Sequence, residues 1–233
     1  KGMHEDGTWQ SIHVFPRNWI LSGGNVYMGA IIRENIIKQK DTFILTSATL
    51  THQSSFTPYR RTLGLGKNDV LIFTDKEASP KPCFVARVAP PFTPDYSLVV
   101  PSDAPSALYE HKNQWLEYIL NVLPKLIEYN EGATLVLCAS YEDLEAIRKR
   151  LEKSYDGSYP LLFQRKGEPA TALAEEFRSA PESVLFGVDT FWHGVDFPGN
   201  TLTQVIITRL PFPAPNSPLM DARKRFLPDA VFW

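Results

Sequence analysis

The chain has 233 residues, enough for one large α/β domain or a domain with part of a neighbour, and its formal charge of −2 excludes a strongly basic arm or an acidic tail, so that any nucleic-acid contact must be local. Its two cysteines, Cys83 and Cys138, exclude a disulfide framework and a four-cysteine zinc or iron–sulfur site within this chain, and a reducing cytoplasm is the expected setting. No secretory leader pattern opens the sequence and no apolar run reaches the ~18 residues that span a bilayer, so a soluble protein with no membrane partner is expected.

The opening KGMHEDGTW has neither cap nor periodicity, and the closing LPDAVFW stops on apolar residues, as a piece of a longer chain would. Ile12 to Phe15 reads as a short strand broken by Pro16, and Gly29 to Lys40 places Ile32, Ile36 and Ile37 at helical spacing. The run TFIL (42–45) reads as a strand, which would put the hydroxyls of Thr46, Ser47 and Thr49 just past its carboxyl end. Residues 56–105 are rich in proline and read as linker and edge structure, with strand candidates VLIF from Val70 and CFVARV from Cys83. Gly64-Leu65-Gly66-Lys67-Asn68 superficially resembles a phosphate-binding loop, but Asn68 stands where a hydroxyl must reach magnesium and the first glycine is misplaced; a surface turn is the better reading. Leu108 to Tyr129 carries Trp115, Ile119, Leu120 and Leu123 on one helical face, with Pro124 either kinking the helix or starting a second one.

After Gly132 a regular alternation begins: strand TLVLCA, helix YEDLEAIRKRLEK, strand LLF, helix ATALAEEFR, strand VLFGV, the loop FWHGVDFPG (191–199), and strand TQVIIT. Ser140 stands at the helix N-cap with Asp143 three residues later, a capping-box variant, and Leu144, Ile147 and Leu151 share a face. Strands that read as continuous apolar runs between helices predict an α/β fold, doubly wound, with a mainly parallel sheet and helices on both faces. In such sheets ligands bind beyond the carboxyl ends of the strands, where the Thr46 cluster, Ser140-Tyr141, Gln164-Arg165 and the FWHGVDFPG loop are all expected. Cys138, inside LVLCAS, reads as a small buried hydrophobe. Neither an HExxH pair nor a Ser-His-Asp order is evident, which disfavours metalloprotease and hydrolase readings.

The ordered set ILTSATL (44–50), LVLCASYEDLEAI (135–147), LLFQRKG (161–167), VLFGVDTFWHGVDFPG (184–199) and VIITRLPFPAPNSPLMDAR (205–223) resembles the C-terminal part of DinG/XPD-type superfamily 2 DNA helicases, nearer the DinG branch. The resemblance implies a RecA-like sheet and two domains: residues 1–55 as the end of the first RecA-like lobe, with TSAT as motif III, and 56–233 as the second lobe, with motif IV at CASYEDL and motif V at Gly187 to Gly199, cut before motif VI. It also implies binding of ATP with Mg2+ between two lobes, held mainly by parts outside this chain, single-stranded DNA lying across both, and translocation in the 5′-to-3′ direction. An iron–sulfur cluster is possible only upstream. The implied partners are single-stranded DNA, the first lobe of the same protein, and either an RNA-guided CRISPR complex or a single-strand-binding protein, in repair or in a type IV CRISPR system.

Residue by residue, the resemblance implies that Thr46, Ser47 and Thr49 couple the nucleotide cleft to the DNA track, and that Gly187, Asp189, Gly194 and Asp196 form the motif V turn on the nucleotide side, Gly194 and Asp196 carrying the coupling. Ser140 and Tyr141 would meet the DNA backbone, with Ser140 as a plain cap the alternative. Gln164 and Arg165 would offer an amide and a cation to the strand, with a solvated charge the alternative. Phe191 and Trp192 line the DNA path or anchor the loop in the core. His193 joins the DNA-facing set and stands where the family usually has glutamate. The sequence contains no P-loop, no DExH box and no motif VI arginine, so this chain alone is expected not to hydrolyse ATP. A non-catalytic nucleic-acid-binding or interaction module derived from a helicase lobe is the alternative from another class, and a small-molecule enzyme on the same sheet is a third.

Overall fold

In the computed structural model, residues 2–5, 7–47, 49–51, 55–65, 96–106, 109–212 and 217–226 are described. The chain divides into two compact units, 1–95 with 213–233, and 96–212. The sequence boundary at 55/56 falls inside the first of these.

In the first unit, β1 (Gly2–Met3), β2 (Thr8–Val14) and β3 (Trp19–Asn25) form an antiparallel sheet in the order β1-β2-β3. Strand β2 takes in Ile12 to Val14 of the stretch expected and stops short of Phe15, where the chain reverses through a bond from the Phe15 amide to the Asn18 carbonyl. Helix α1 (Met28–Ile32) continues as a π-helical turn, Arg33–Ile37, so that Ile37 is buried and Ile36 exposed. The strand expected at TFIL does not form: residues 42–47 are irregular, and Phe43, Ile44 and Leu45 are exposed. A strand needs a ladder partner for its amides and carbonyls, and no described strand pairs with this segment. Helix α2 (Thr57–Thr62) ends in a Schellman-type turn in which the Leu65 amide bonds the Arg60 carbonyl at 2.8 Å and Gly64 takes φ 74°. Gly64 is thus a helix-capping glycine packed against the Gly29 backbone. The strand candidates VLIF and CFVARV, like Lys67 and Asn68, lie outside the described residues.

The second unit carries the fold that places the site. Helix α3 (Lys112–Tyr129) runs through Pro124 as one helix and buries Trp115, Ile119, Leu123 and Ile127. Then come β4 (Thr134–Leu137), α4 (Tyr141–Ser154), β5 (Leu161–Phe163), α5 (Ala170–Ser179), β6 (Val184–Gly187) and β7 (Gln204–Ile207). All four strands are parallel, in the order β5-β6-β4-β7, with Val136 opposite both Phe186 and Ile206. Alternation along β4 and β6 sends Val136, Cys138, Val184, Phe186 and Val188 to one face, where α3 and α4 cover them, and Leu135, Leu137 and Leu185 to the other. That other face is covered by α5, through Ala174 and Phe177, and by Phe191 and Phe197 of the loop between β6 and β7. The expected doubly wound sheet is present, but one of its crossovers is a loop with two short 3-10 turns that packs as core.

No described helix is long and apolar enough to cross a membrane. Cys138 is fully buried, and burial, seconded by the Asp143 carboxylate, pushes its thiol up to about 12. A thiol held neutral in the fold contributes stability that is complete below its unfolded value near 9 and is lost as pH rises toward 12. Alkaline unfolding curves of wild type and Cys138→Ala should therefore converge above pH 9, by about 1.4 kcal/mol per pH unit, and peptide-resolved alkylation at pH 8 should label Cys138 only after unfolding.

Candidate nucleotide and nucleic-acid interface

The carboxyl ends of the four strands bring together Ser140 and Tyr141 after β4, Gln164 and Arg165 after β5, Asp189 to Gly199 after β6, and Thr208 and Arg209 after β7. The Thr46, Ser47 and Thr49 hydroxyls lie in the first unit, exposed in an irregular segment; Ser47 Oγ accepts from the Thr49 amide and pairs with its hydroxyl, both at 3.2 Å.

Ser140 caps α4: its backbone is extended (φ −152°, ψ 157°) and its Oγ accepts from the Asp143 amide at 3.2 Å. The capping box stops halfway, because the Asp143 carboxylate turns to Arg209, whose Nε and Nη2 donate to Oδ2 at 2.8 and 2.6 Å. Asp143 is buried, and Lys112 stands 3.6 Å from its second oxygen while also pairing with Glu142. Burial pulls the Lys112 ammonium down, but Glu142 and Asp143 outweigh it and hold it above its ordinary value. Trp115 donates to the Thr208 carbonyl at 3.1 Å, so α3, α4 and the end of β7 are tied into one polar cluster. Sequence reading found Trp115 as core and Asp143 as a cap; the pairing with Arg209, 66 residues away, left no local signal.

The loop after β6 is fixed at several points. Phe191 is buried with its ring over Gly187, where an added Cβ would stand 2.6 to 2.7 Å from ring and Cβ atoms. Gly187 is therefore required by aromatic packing. Phe197 meets Phe177 edge to face, centroids 4.9 Å apart. Trp192 is half-buried, and its indole donates to the Cys138 carbonyl at 3.1 Å. Phe191 and Trp192 thus both tie the loop to the core. Arg178 of α5, which lies in none of the recognised motifs, donates to the Asp196 carbonyl at 3.1 Å and lies over the Phe197 ring. Gln164 is buried, its amide engaged with Val188 and Thr190.

Against these anchors, Asp189, His193, Gly194, Asp196 and Arg165 are exposed. Gly194 takes φ 80° with no atom within 4 Å of the position a Cβ would occupy, so the backbone there is open to close approach. Asp189 takes φ 41°, a left-handed conformation unusual for a residue with a side chain.

Residues 123–230 match the family model described as the helicase C-terminal domain. The chain is similar to "3'-5' exonuclease DinG" of Bacillus subtilis, 28% identical over 84% of this chain and 20% of that protein. It is also similar to "ATP-dependent DNA helicase YoaA" of Haemophilus influenzae, 33% identical over 78% of this chain and 25% of the relative, and to "ATP-dependent helicase DinG" of Mycobacterium tuberculosis, 39% identical over 46% and 16%. The chain spans a quarter or less of the length of these relatives. The matched stretch contains all four parallel strands and the anchored loop.

The packing of Phe191 on Gly187 yields a directional test. Gly187→Ala should destabilise the protein by about 1–3 kcal/mol through overpacking, and Phe191→Ala by about 3–5 kcal/mol through a cavity. The double variant should be less destabilised than the sum, because the new methyl fills part of the space that the ring leaves; additivity in denaturant titrations would contradict the contact.

Proposed function

We propose that this chain supplies a motor lobe of an ATP-dependent DNA helicase, with the end of the neighbouring lobe at its start, and that the full-length protein moves 5′-to-3′ on single-stranded DNA. The observation that carries the reading is the loop after β6: it is anchored in the core at Phe191 and Phe197 while Gly194 and Asp196 between them stand exposed at the carboxyl rim of a parallel sheet. Such a loop can report contact at the rim to the core beneath it. The similarity to DinG and YoaA helicases supports the same reading.

ATP with Mg2+ supplies the free energy of phosphoryl transfer when bound. The residues here fit one side of a nucleotide site. The exposed Asp196 carboxylate is an acceptor that can orient a ribose hydroxyl or an arginine of a facing lobe, and the open backbone at Gly194 admits a ligand at close range. Ser140 accepts from the Asp143 amide and keeps its own O–H to donate to a DNA phosphate. Tyr141, Arg165 and His193 complete a rim that holds a backbone without reading sequence. By the resemblance, Thr46, Ser47 and Thr49 belong to a coupling segment, and Asp189 shapes the start of the loop. The cytoplasmic setting rests on the scarcity of cysteine, and an upstream iron–sulfur cluster and a CRISPR or single-strand-binding partner rest on the resemblance.

Steady-state ATPase and strand separation of the full-length protein test this. Single-stranded DNA should stimulate wild-type hydrolysis, and Asp196→Ala should lower the stimulated rate by roughly one to two orders of magnitude. The Asp196 carbonyl keeps its bond to Arg178 in that variant, so folding should be unaffected. Hydrolysis with no response to DNA would sink the motor reading, and a full-length protein without ATPase but with DNA binding would favour the non-catalytic module. The 233-residue chain by itself should show no ATPase and only weak single-strand binding that falls steeply with salt; tight, salt-insensitive binding would contradict it.

A further inference from the structure

We propose that Gln164 is a positioning residue that holds the start of the β6–β7 loop in a strained conformation, and that it does not touch DNA; the inference rests on the motor reading above only for its kinetic consequence. Strand β5 ends at Phe163, and the Gln164 amide makes the last ladder bond, to the Phe186 carbonyl at 3.0 Å. The Val188 amide, two residues after Phe186 and just past the end of β6, points to the side from which β5 has turned away. Gln164 Oε1 takes the place of the missing strand and accepts from it at 2.8 Å.

The other end of the same side chain completes a clamp. Gln164 Nε2 donates to Thr190 Oγ1 at 3.2 Å, so its two bonds bracket Asp189, the residue at φ 41°. Left-handed backbone persists at such a residue only where its surroundings over-determine it, and here one side chain, 4% exposed, grips the position before and the position after. Farther along, Trp192 on the Cys138 carbonyl and Arg178 on the Asp196 carbonyl hold the same loop from other elements. A DNA contact by Gln164 would require this buried side chain to turn outward, breaking its buried bond to the Val188 amide and leaving that amide without its acceptor, which is unfavourable. Gln164 therefore acts through Asp189 and the loop that follows.

The test uses the full-length protein and three readouts. In Gln164→Leu the Val188 amide should lose at least about tenfold of its hydrogen-exchange protection while the Phe186 amide is unchanged. The maximal DNA-stimulated ATPase rate should fall about tenfold, while the DNA concentration for half-stimulation and its salt dependence stay within about twofold. Thr190→Val, which removes only the second bond at an exposed position, should give a smaller fall of the same kind with unchanged unfolding midpoint, so the proposal stays testable if Gln164→Leu folds poorly. Unchanged Val188 protection overturns the clamp. A weaker half-stimulation with a shallower salt slope and an unchanged maximal rate overturns it in favour of direct DNA contact. If wild type shows no DNA-stimulated ATPase the motor reading fails separately, and the exchange measurement alone then decides the clamp.

Discussion

The unit of residues 96–212 depends on one contact, the ring of Phe191 lying where a side chain on Gly187 would be. Strand β6 presents Leu185 and then Gly187 to the second face of the sheet, and the missing side chain leaves a hollow into which the chain folds back four residues later. A crossover helix would ordinarily cover such a face. Here α5 covers part of it and the loop covers the rest with Phe191, Phe197, Val195 and Trp192. Because apolar burial is the dominant favourable term in folding, the loop is held with the strength of core rather than of surface. Between the two phenylalanine anchors, His193, Gly194 and Asp196 stand exposed.

Polar order at the rim follows from where the strands stop. Parallel strands of unequal length leave amides and carbonyls without ladder partners at their carboxyl ends, and in this unit side chains take their place: Gln164 for the Val188 amide, Trp192 for the Cys138 carbonyl and Trp115 for the Thr208 carbonyl. Asp143 and Arg209 add a charged tie between the start of α4 and the end of β7. A buried ion pair contributes little net stability against an apolar replacement, so its worth lies in fixing the register of these two ends. Both tryptophans combine an apolar body in the core with one N–H at the rim, and through them packing dictates rim geometry.

Much of this was legible because it is local. The alternation of strands and helices after Gly132, the Ser140 cap and the loop-for-helix crossover all follow from periodicity, capping chemistry and glycine punctuation within short windows. The TFIL segment was misread for the complementary reason: an apolar run states a preference, and a strand exists only when another strand is available to pair with it. The turn expected at Gly64 is present, but its role as the end of a helix packed on Gly29, 35 residues earlier in the chain, had no local signal.

The sequence by itself determined the element order of the second unit, its parallel class, the rim on which polar residues gather, and the resemblance to DinG-type helicases. Periods of two and 3.6, together with ordered motifs, carry that information along the chain. The tertiary structure alone decided what these side chains touch: that Gln164 faces inward, that Asp143 turns to Arg209, that Phe191 and Trp192 pack against the core, and that Arg178 reaches the loop. Apart from the packing of Phe191 on Gly187, each of these rests on a contact between residues far apart in sequence, and such a contact has no period to read.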